Sequence, residues 1–187
     1  MGAVQRGTDP ASGSAEGLAV SRPTSVGAAG FRAVMAEFPT FVTVITVATV
    51  AGPAGCTANA VMALSLDPVS VLVSLASGGR TERHIDHCGR FAVNLLNWSQ
   101  RTLAYQFAES DPRRRFDRVP YAEHAGVPIL GGTAATLVCR LERSVPAWDH
   151  TLLIGLVEWT RLAPPTTALV HHRRRQHPLH SETESQS

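Results

Sequence analysis

Residues 55–81, GCTANAVMALSLDPVSVLVSLASGGRT, hold three chemically distinct pieces, and the reading of the chain works outward from them. The first, Gly55 to Ala60, is a run of small and hydrogen-bonding side chains. A flat ring can lie close to such a backbone while Thr57 and Asn59 address its polar edge. In the second, Pro68 biases Asp67 away from helix, and the alternating run Val69 to Ala76 reads as a strand. The third, Ser77-Gly78-Gly79-Arg80-Thr81, is a flexible turn opening into a short helix. Its glycines allow close approach, hydroxyls and backbone N–H groups donate, Arg80 supplies a forked charge and the helix N-terminus adds its dipole. That is the chemistry of a phosphate site.

A ring platform followed by a phosphate turn suits a flavin. The same residue types are also ordinary turn and half-buried strand residues, so the rest of the chain has to decide. Phe31, Val34, Met35 and Phe38 share one face of a helix that Pro39 ends. Phe41 to Val50, dense in β-branched residues, reads as a strand, with a turn at Gly52-Pro53. Thr81 to Cys88 forms a short helix closed by Gly89, and Phe91 to Leu96 returns as a strand. Ser99 is the expected N-cap of a helix reaching about Ser110. Asp111 to Gly132, with three prolines, reads as loop. Two strands follow, Thr133 to Arg143 and Thr151 to Arg161, joined by a connection over Ser144 to His150. Strands dominate and no strand-helix-strand rhythm repeats. The expected fold is therefore all-β, a barrel with short helices, and not a doubly wound sheet.

With 187 residues, 44% hydrophobic and 17% charged, the chain is sized for one domain with a real core. Residues 1–29, rich in Gly, Ala and Ser, read as a disordered leader without a signal peptide, residues 30–172 as the domain and 173–187 as a polar tail. No apolar stretch is long enough to span a membrane, so a cytoplasmic protein is expected. A net charge of +2 is too small to imply nucleic acid. Cys56, Cys88 and Cys139 are odd in number and far apart, which indicates neither a disulfide framework nor a zinc site. They read as reduced, buried small residues. The triplet Arg113 to Arg115 reads first as a solvated loop and second as a contact for a nucleotide phosphate. His171, His172 and His177 with Arg173 to Arg175 lack metal-ligand spacing and read as a mobile tail. Asp67 and Asp149 belong to turns. No G-x-S-x-G nucleophile motif is present, and no G-x-G-x-x-G follows a strand, which excludes a Rossmann-type nicotinamide site.

From Phe31 to His172 the chain resembles the flavin reductase components of two-component flavin-dependent monooxygenases, a split-barrel flavin-binding family. Phe38-Pro39-Thr40-Phe41-Val42-Thr43-Val44 is similar to the family's Phe-Pro-Thr-Gly-Val-Thr-Val lead into the first strand. Thr57 to Ala60, Ser65 to Pro68, Phe91 to Leu96, Gly126 to Leu130 and Asp149-His150 then follow in the family's order. Phe41 stands where the family usually has Gly, Ala63 where it often has Ser, Gly78 and Gly79 where it has serines, and Trp148 where Gly precedes Asp-His. These departures bear on how many donors reach the phosphate and how tightly flavin is held.

The resemblance implies an FMN-binding split β-barrel working as a homodimer. It implies binding of FAD or FMN, with FAD favoured, hydride from a nicotinamide, with NADH favoured over NADPH, and delivery of reduced flavin to a separate flavin-dependent oxygenase. Carried over residue by residue, Thr57, Ala58, Asn59, Ala60 and Ser65 address the isoalloxazine edge and ribityl chain. Ala76, Ser77, Arg80 and Thr81 take the phosphate, and His150 contacts the nicotinamide or steers a proton. Phe41 and Phe107 are candidate pocket walls. No metal is implied. The other class of reading is a binding module: the same barrel keeping its flavin as a carrier or sensor without turnover.

Overall fold

The computed structural model describes residues 26–109 and 111–180. The leader before residue 26, Ser110 and the last residues from 181 lie outside that range. Helix α1, Ala28–Met35, precedes a short strand β1, Thr40–Phe41. The threonine-spaced run then forms β2, Thr43–Thr49, which turns back into β3, Gly52–Ala58. After two residues come β4, Val61–Leu66, and β5, Val69–Ala76. Helix α2, Arg80–Cys88, is followed by β6, Arg90–Leu95, a 3₁₀ turn at Trp98–Gln100 and α3, Arg101–Glu109. The second half is β7, Tyr121–His124, β8, Val127–Leu130, β9, Ala135–Ala147, β10, His150–Leu162, β11, Ala168–His172, and β12, Arg175–Leu179.

Seven strands form one antiparallel sheet in the order β3-β2-β6-β9-β10-β5-β4. Its two outermost strands, β3 and β4, are joined by only Asn59 and Ala60, so the sheet must curl until its edges meet. Ser74 N–H donates to Ala60 O at 2.9 Å, which carries the β4–β5 ladder up to the crossover. The barrel interior is filled by Ile45, Val47, Val73, Ile85, Phe91 and Leu153, all buried. Strand β2 has a second apolar face: Val44, with Val42 just before the strand, packs outward against Phe107 of α3, Leu96, Leu130 and Leu169. Burial on both faces explains its near-continuous run of β-branched residues. Helix α2 ends as expected at Gly89, whose φ of 70° lets its N–H reach Ile85 O at 2.8 Å.

Four readings of the sequence are corrected. The connection over Ser144 to His150 is strand: β9 and β10 run on to a tight turn at Trp148-Asp149, His150 pairing with Ala147. Beyond Arg140 the strand has lost its β6 neighbour, so Pro146 sits on an edge, where its missing N–H is tolerated. Within the loop-like stretch after Asp111, β7 and β8 form a short hairpin on Ala125 and Gly126, both at positive φ (50° and 75°). The polar tail begins as a hairpin. β11 pairs with β1, Thr40 opposite His171, and β12 returns along it, while Leu169, 1% exposed, fastens it to the core. Finally, the N-cap before α3 is Asn97, not Ser99; the Ser99 hydroxyl donates to Asn97 Oδ1 at 2.6 Å.

Candidate active site

The cleft opens where the barrel edges meet. It measures about 420 Å³ and is lined by residues 56–60 of β3 and the crossover, 74–76 of β5, 79–82 at the start of α2, Pro112, Arg115 and His150. Along its floor Ala58, Ala60, Ala76 and Gly79 place nothing larger than a methyl group, so a planar ring system can approach the backbone. At one end α2 presents the N–H groups of its first turn, which have no intrahelical acceptor, together with the Arg80 side chain. A small-residue floor of this size leading to a cationic helix N-terminus fits a flavin phosphate.

Gly55, one residue before the lining, explains how the floor is shaped. A Cβ there would stand 2.7 Å from Ile45 O and 3.1 Å from the Phe107 ring. Only glycine lets β3 press onto β2 and the aromatic ring beneath it. Phe107 is completely buried and packs edge-on to Phe116 at 5.0 Å, so it supports the cleft from below. Phe41, 42% exposed on β1, does not line it.

The structure gathers Thr57, Ala58, Asn59, Ala60, Ala76, Arg80, Thr81 and His150 around this one cleft; Ser65 and Ser77 do not line it. Ser65 turns back on its own chain, its hydroxyl donating to Asp67 O at 2.9 Å and accepting from Asp67 N–H at 3.1 Å. The Ser77 hydroxyl pairs with Thr151 Oγ1 at 3.0 Å. Thr57 does line the cleft, yet its hydroxyl donates to Ala104 O at 2.7 Å. It meets a ligand with its backbone and methyl group.

One lining group escaped the sequence reading, and another was its second choice. Glu82, 7% exposed, accepts from Thr151 Oγ1 at 3.1 Å and from Gly78 N–H at 3.2 Å. It therefore holds the glycine turn from inside and takes a donor that the sequence assigned to phosphate. An acidic residue in a first helical turn is a common cap partner, which was the available signal. Arg115, from the triplet read mainly as solvated, reaches over the cleft and donates from Nη1 to Gly55 O at 2.8 Å. Sequence spacing carries no information about that long-range contact. Cys56 also lines the cleft; burial pushes its thiol pKa up, against a hydrogen bond with Thr81 and the charge of Arg115. It is a neutral wall residue.

His150 is half-exposed at the rim. Its Nδ1 lies 2.9 Å from Asp149 Oδ1, and that hydrogen bond holds the Asp149 carboxyl below the usual carboxylate range. With Nδ1 committed, Nε2 is the ring atom left for a ligand. The hairpin tip is pinned to the phosphate turn, since Ser77 N–H donates to Asp149 O at 3.0 Å and His150 stands opposite Ala76 in the sheet register. Imidazole and phosphate turn are thus held at one end of a single rigid pair of strands.

Residues 35–180 match the flavin reductase like domain family. The chain belongs to this family. It is 36% identical over 157 residues to the NADH-dependent FMN reductase AsuE2 of Streptomyces nodosus subsp. asukaensis, covering 81% of this chain and 85% of that one. Among solved structures it is similar to the styrene monooxygenase flavin reductase of Pseudomonas putida S12, with a TM-score of 0.73 at 33% identity over 81% of this chain and 98% of that one. A further neighbour is the NADH:FAD oxidoreductase SgcE6 of Streptomyces globisporus in complex with NAD and FAD fragments, with a TM-score of 0.77 at 29% identity, covering 82% and 93% of the two chains. The fold is accordingly the split barrel of the flavin reductases, mostly β with short helices. Among the described residues, no helix is long and apolar enough to cross a membrane.

Proposed function

We propose that this flavin reductase family member is an NADH-dependent oxidoreductase that reduces FAD or FMN and releases the reduced flavin to a separate oxygenase component. The observation that carries the reading is the cleft itself: a floor of Ala58, Ala60 and Ala76 running to the N-terminus of α2 and Arg80, with His150 at the rim. Bound there, the flavin supplies the hydride acceptor, and the protein's part is alignment. The backbone of residues 57–60 orients the ring edge. Arg80, Thr81 and the first-turn N–H groups of α2 hold the phosphate. Asp149 fixes the His150 ring so that Nε2 is the atom left to contact an incoming nicotinamide or to steer a proton to or from the flavin.

The phosphate grip is weak by construction, because Ser77 and Gly78 are spent on Thr151 and Glu82. Weak retention supports a reductase that lets its flavin go over a carrier that keeps it. FAD is favoured over FMN and NADH over NADPH. The unpaired cysteines support work in a reducing compartment, the cytoplasm. Exposed apolar side chains on β4, Met62, Leu64 and Leu66, together with Phe31 and Val34 of α1, support a homodimer.

The test is loss of NADH absorbance with purified protein, alone and then with added FAD, FMN or riboflavin. Consumption that saturates with added flavin is expected, and the saturation constants rank the flavins. Untouched NADH in a yellow protein that keeps its flavin through gel filtration would replace the enzyme reading with the carrier.

A further inference from the structure

Among the described residues that line the cleft, Glu82 is the only acid, and it stands at the end where the phosphate is placed. Helix α2 begins after Gly79, which has no side chain to cap it, and the carboxylate of the third helical residue serves instead. Glu82 Oε2 accepts the Gly78 N–H at 3.2 Å and Oε1 accepts the Thr151 hydroxyl at 3.1 Å. Thr151 in turn pairs with the Ser77 hydroxyl at 3.0 Å. The helix N-terminus therefore has an anion of its own, supplied by the chain itself.

Burial gives that charge reach. Glu82 is 7% exposed, so little water screens it from a second anion in the same turn. Arg80 and Arg115, the two cations of the lining, act the other way, as do the backbone N–H groups in the first turn of α2. A phosphate in this turn meets donors that attract it and a fixed carboxylate that repels it. The same carboxylate keeps Gly78 N–H and the Ser77–Thr151 hydroxyl pair for itself. Repulsion grows with the charge on the phosphate. The terminal phosphate monoester of FMN is close to doubly charged at neutral pH, because its second ionisation lies at about pH 6. Each phosphate in the diphosphate bridge of FAD carries a single charge, and riboflavin has no phosphate.

We propose that Glu82 determines which flavin the cleft holds and how readily it leaves, as a built-in carboxylate that works against the dianionic phosphate of FMN, less against FAD and not against riboflavin. The inference rests on the reductase reading and adds the residue that sets flavin selectivity and release. Glu82 takes no part in the hydride step, since a flavin carries the same phosphate before and after reduction.

The test is E82Q, which keeps the shape of the side chain and one acceptor oxygen while removing the charge. Dissociation constants for FMN, FAD and riboflavin are read from flavin fluorescence, which needs no turnover. The variant is expected to bind FMN about tenfold more tightly, FAD about threefold more tightly and riboflavin within about twofold of wild type. FMN tightened no more than riboflavin would overturn the proposal. So would a similar loss of affinity for all three, the result expected of a cap with a structural role alone. Should E82Q fail to fold, the wild-type protein decides. With Glu82 opposing it, the phosphate is expected to strengthen FMN binding over that of riboflavin by less than about tenfold, and a larger ratio would overturn the proposal. Wild-type protein that reduces no flavin would sink the reductase reading alone, and the same titrations would still decide the role of Glu82.

Discussion

At position 148 the backbone has a φ of 56° and carries a tryptophan that is 99% exposed. A side chain in the left-handed region costs roughly 1–2 kcal/mol, and no described residue covers the indole to offset it. Trp148→Gly is therefore expected to raise stability by about 1 kcal/mol in urea unfolding, less whatever the unfolded chain gains in freedom. A loss of stability would mean that the indole makes a stabilising contact, such as one across a dimer interface. Two residues on, His150 and Asp149 act as a pair. Replacing His150 by Ala is expected to lower NADH-dependent flavin reduction by about 10²-fold, a typical contribution of a positioned acid or base, while flavin affinity stays nearly intact. Unchanged turnover would remove His150 from the mechanism, and a parallel loss of flavin affinity would make it a binding residue.

Among the elements, β3 is the one on which the site depends, because it is both a barrel edge and the floor of the cleft. Its position is set by the contact of Gly55 with β2. Gly55→Ala would force a methyl group against a backbone carbonyl that cannot move away, so a loss of about 1–3 kcal/mol is expected, with weakened flavin binding following from the displaced floor. Thermal melts and flavin fluorescence check both parts, and wild-type stability would show that β3 can slide. Strand β6 holds the other side together through Asn94, which is fully buried. Its Nδ2 donates to Val44 O at 3.0 Å and Thr46 Oγ1 at 2.9 Å, and its Oδ1 accepts from Leu130 N–H at 2.9 Å. One amide thus joins β6, β2 and β8, which accounts for an asparagine inside the apolar run from Phe91 to Leu96.

At the scale of the molecule, stability is expected to fall in alkali. Cys139 is completely buried in the barrel core, and burial, with a smaller effect from Glu158, pushes its thiol pKa up to about 12. A thiol freed by unfolding ionises near 8.5, so its stabilising contribution is complete below that pH and is lost as pH rises towards the folded value. Cys56 shifts in the same direction. Between about pH 9 and 12 stability should drop by roughly 1 kcal/mol per pH unit for Cys139 alone, and Cys139→Ala should flatten the decline; an equal slope in both proteins would exclude this cause. The apolar side chains left on β4 lead to a second expectation at this scale. Leu64→Asp with Leu66→Asp should convert a dimer into monomers in sedimentation experiments, and a wild-type monomer would remove the dimer from the reading.

The residue pattern by itself pointed to a strand-rich barrel, and the family resemblance added to it grouped residues 57–60, 76 and 80–81 into one candidate site, which the fold brings around one cleft. The physical reason is local: alternating β-branched runs, a proline-bounded turn and a glycine turn before a helix each report on their own few residues. Only the tertiary structure decided which donors remain for a ligand. Ser77, Gly78 and Thr57 are spent on Thr151, Glu82 and Ala104, partners up to 74 residues away. It also brought Arg115 over the cleft and turned the start of a polar tail into a hairpin. Such contacts are set by barrel closure and register, which bring together side chains whose separation along the chain has no period to read.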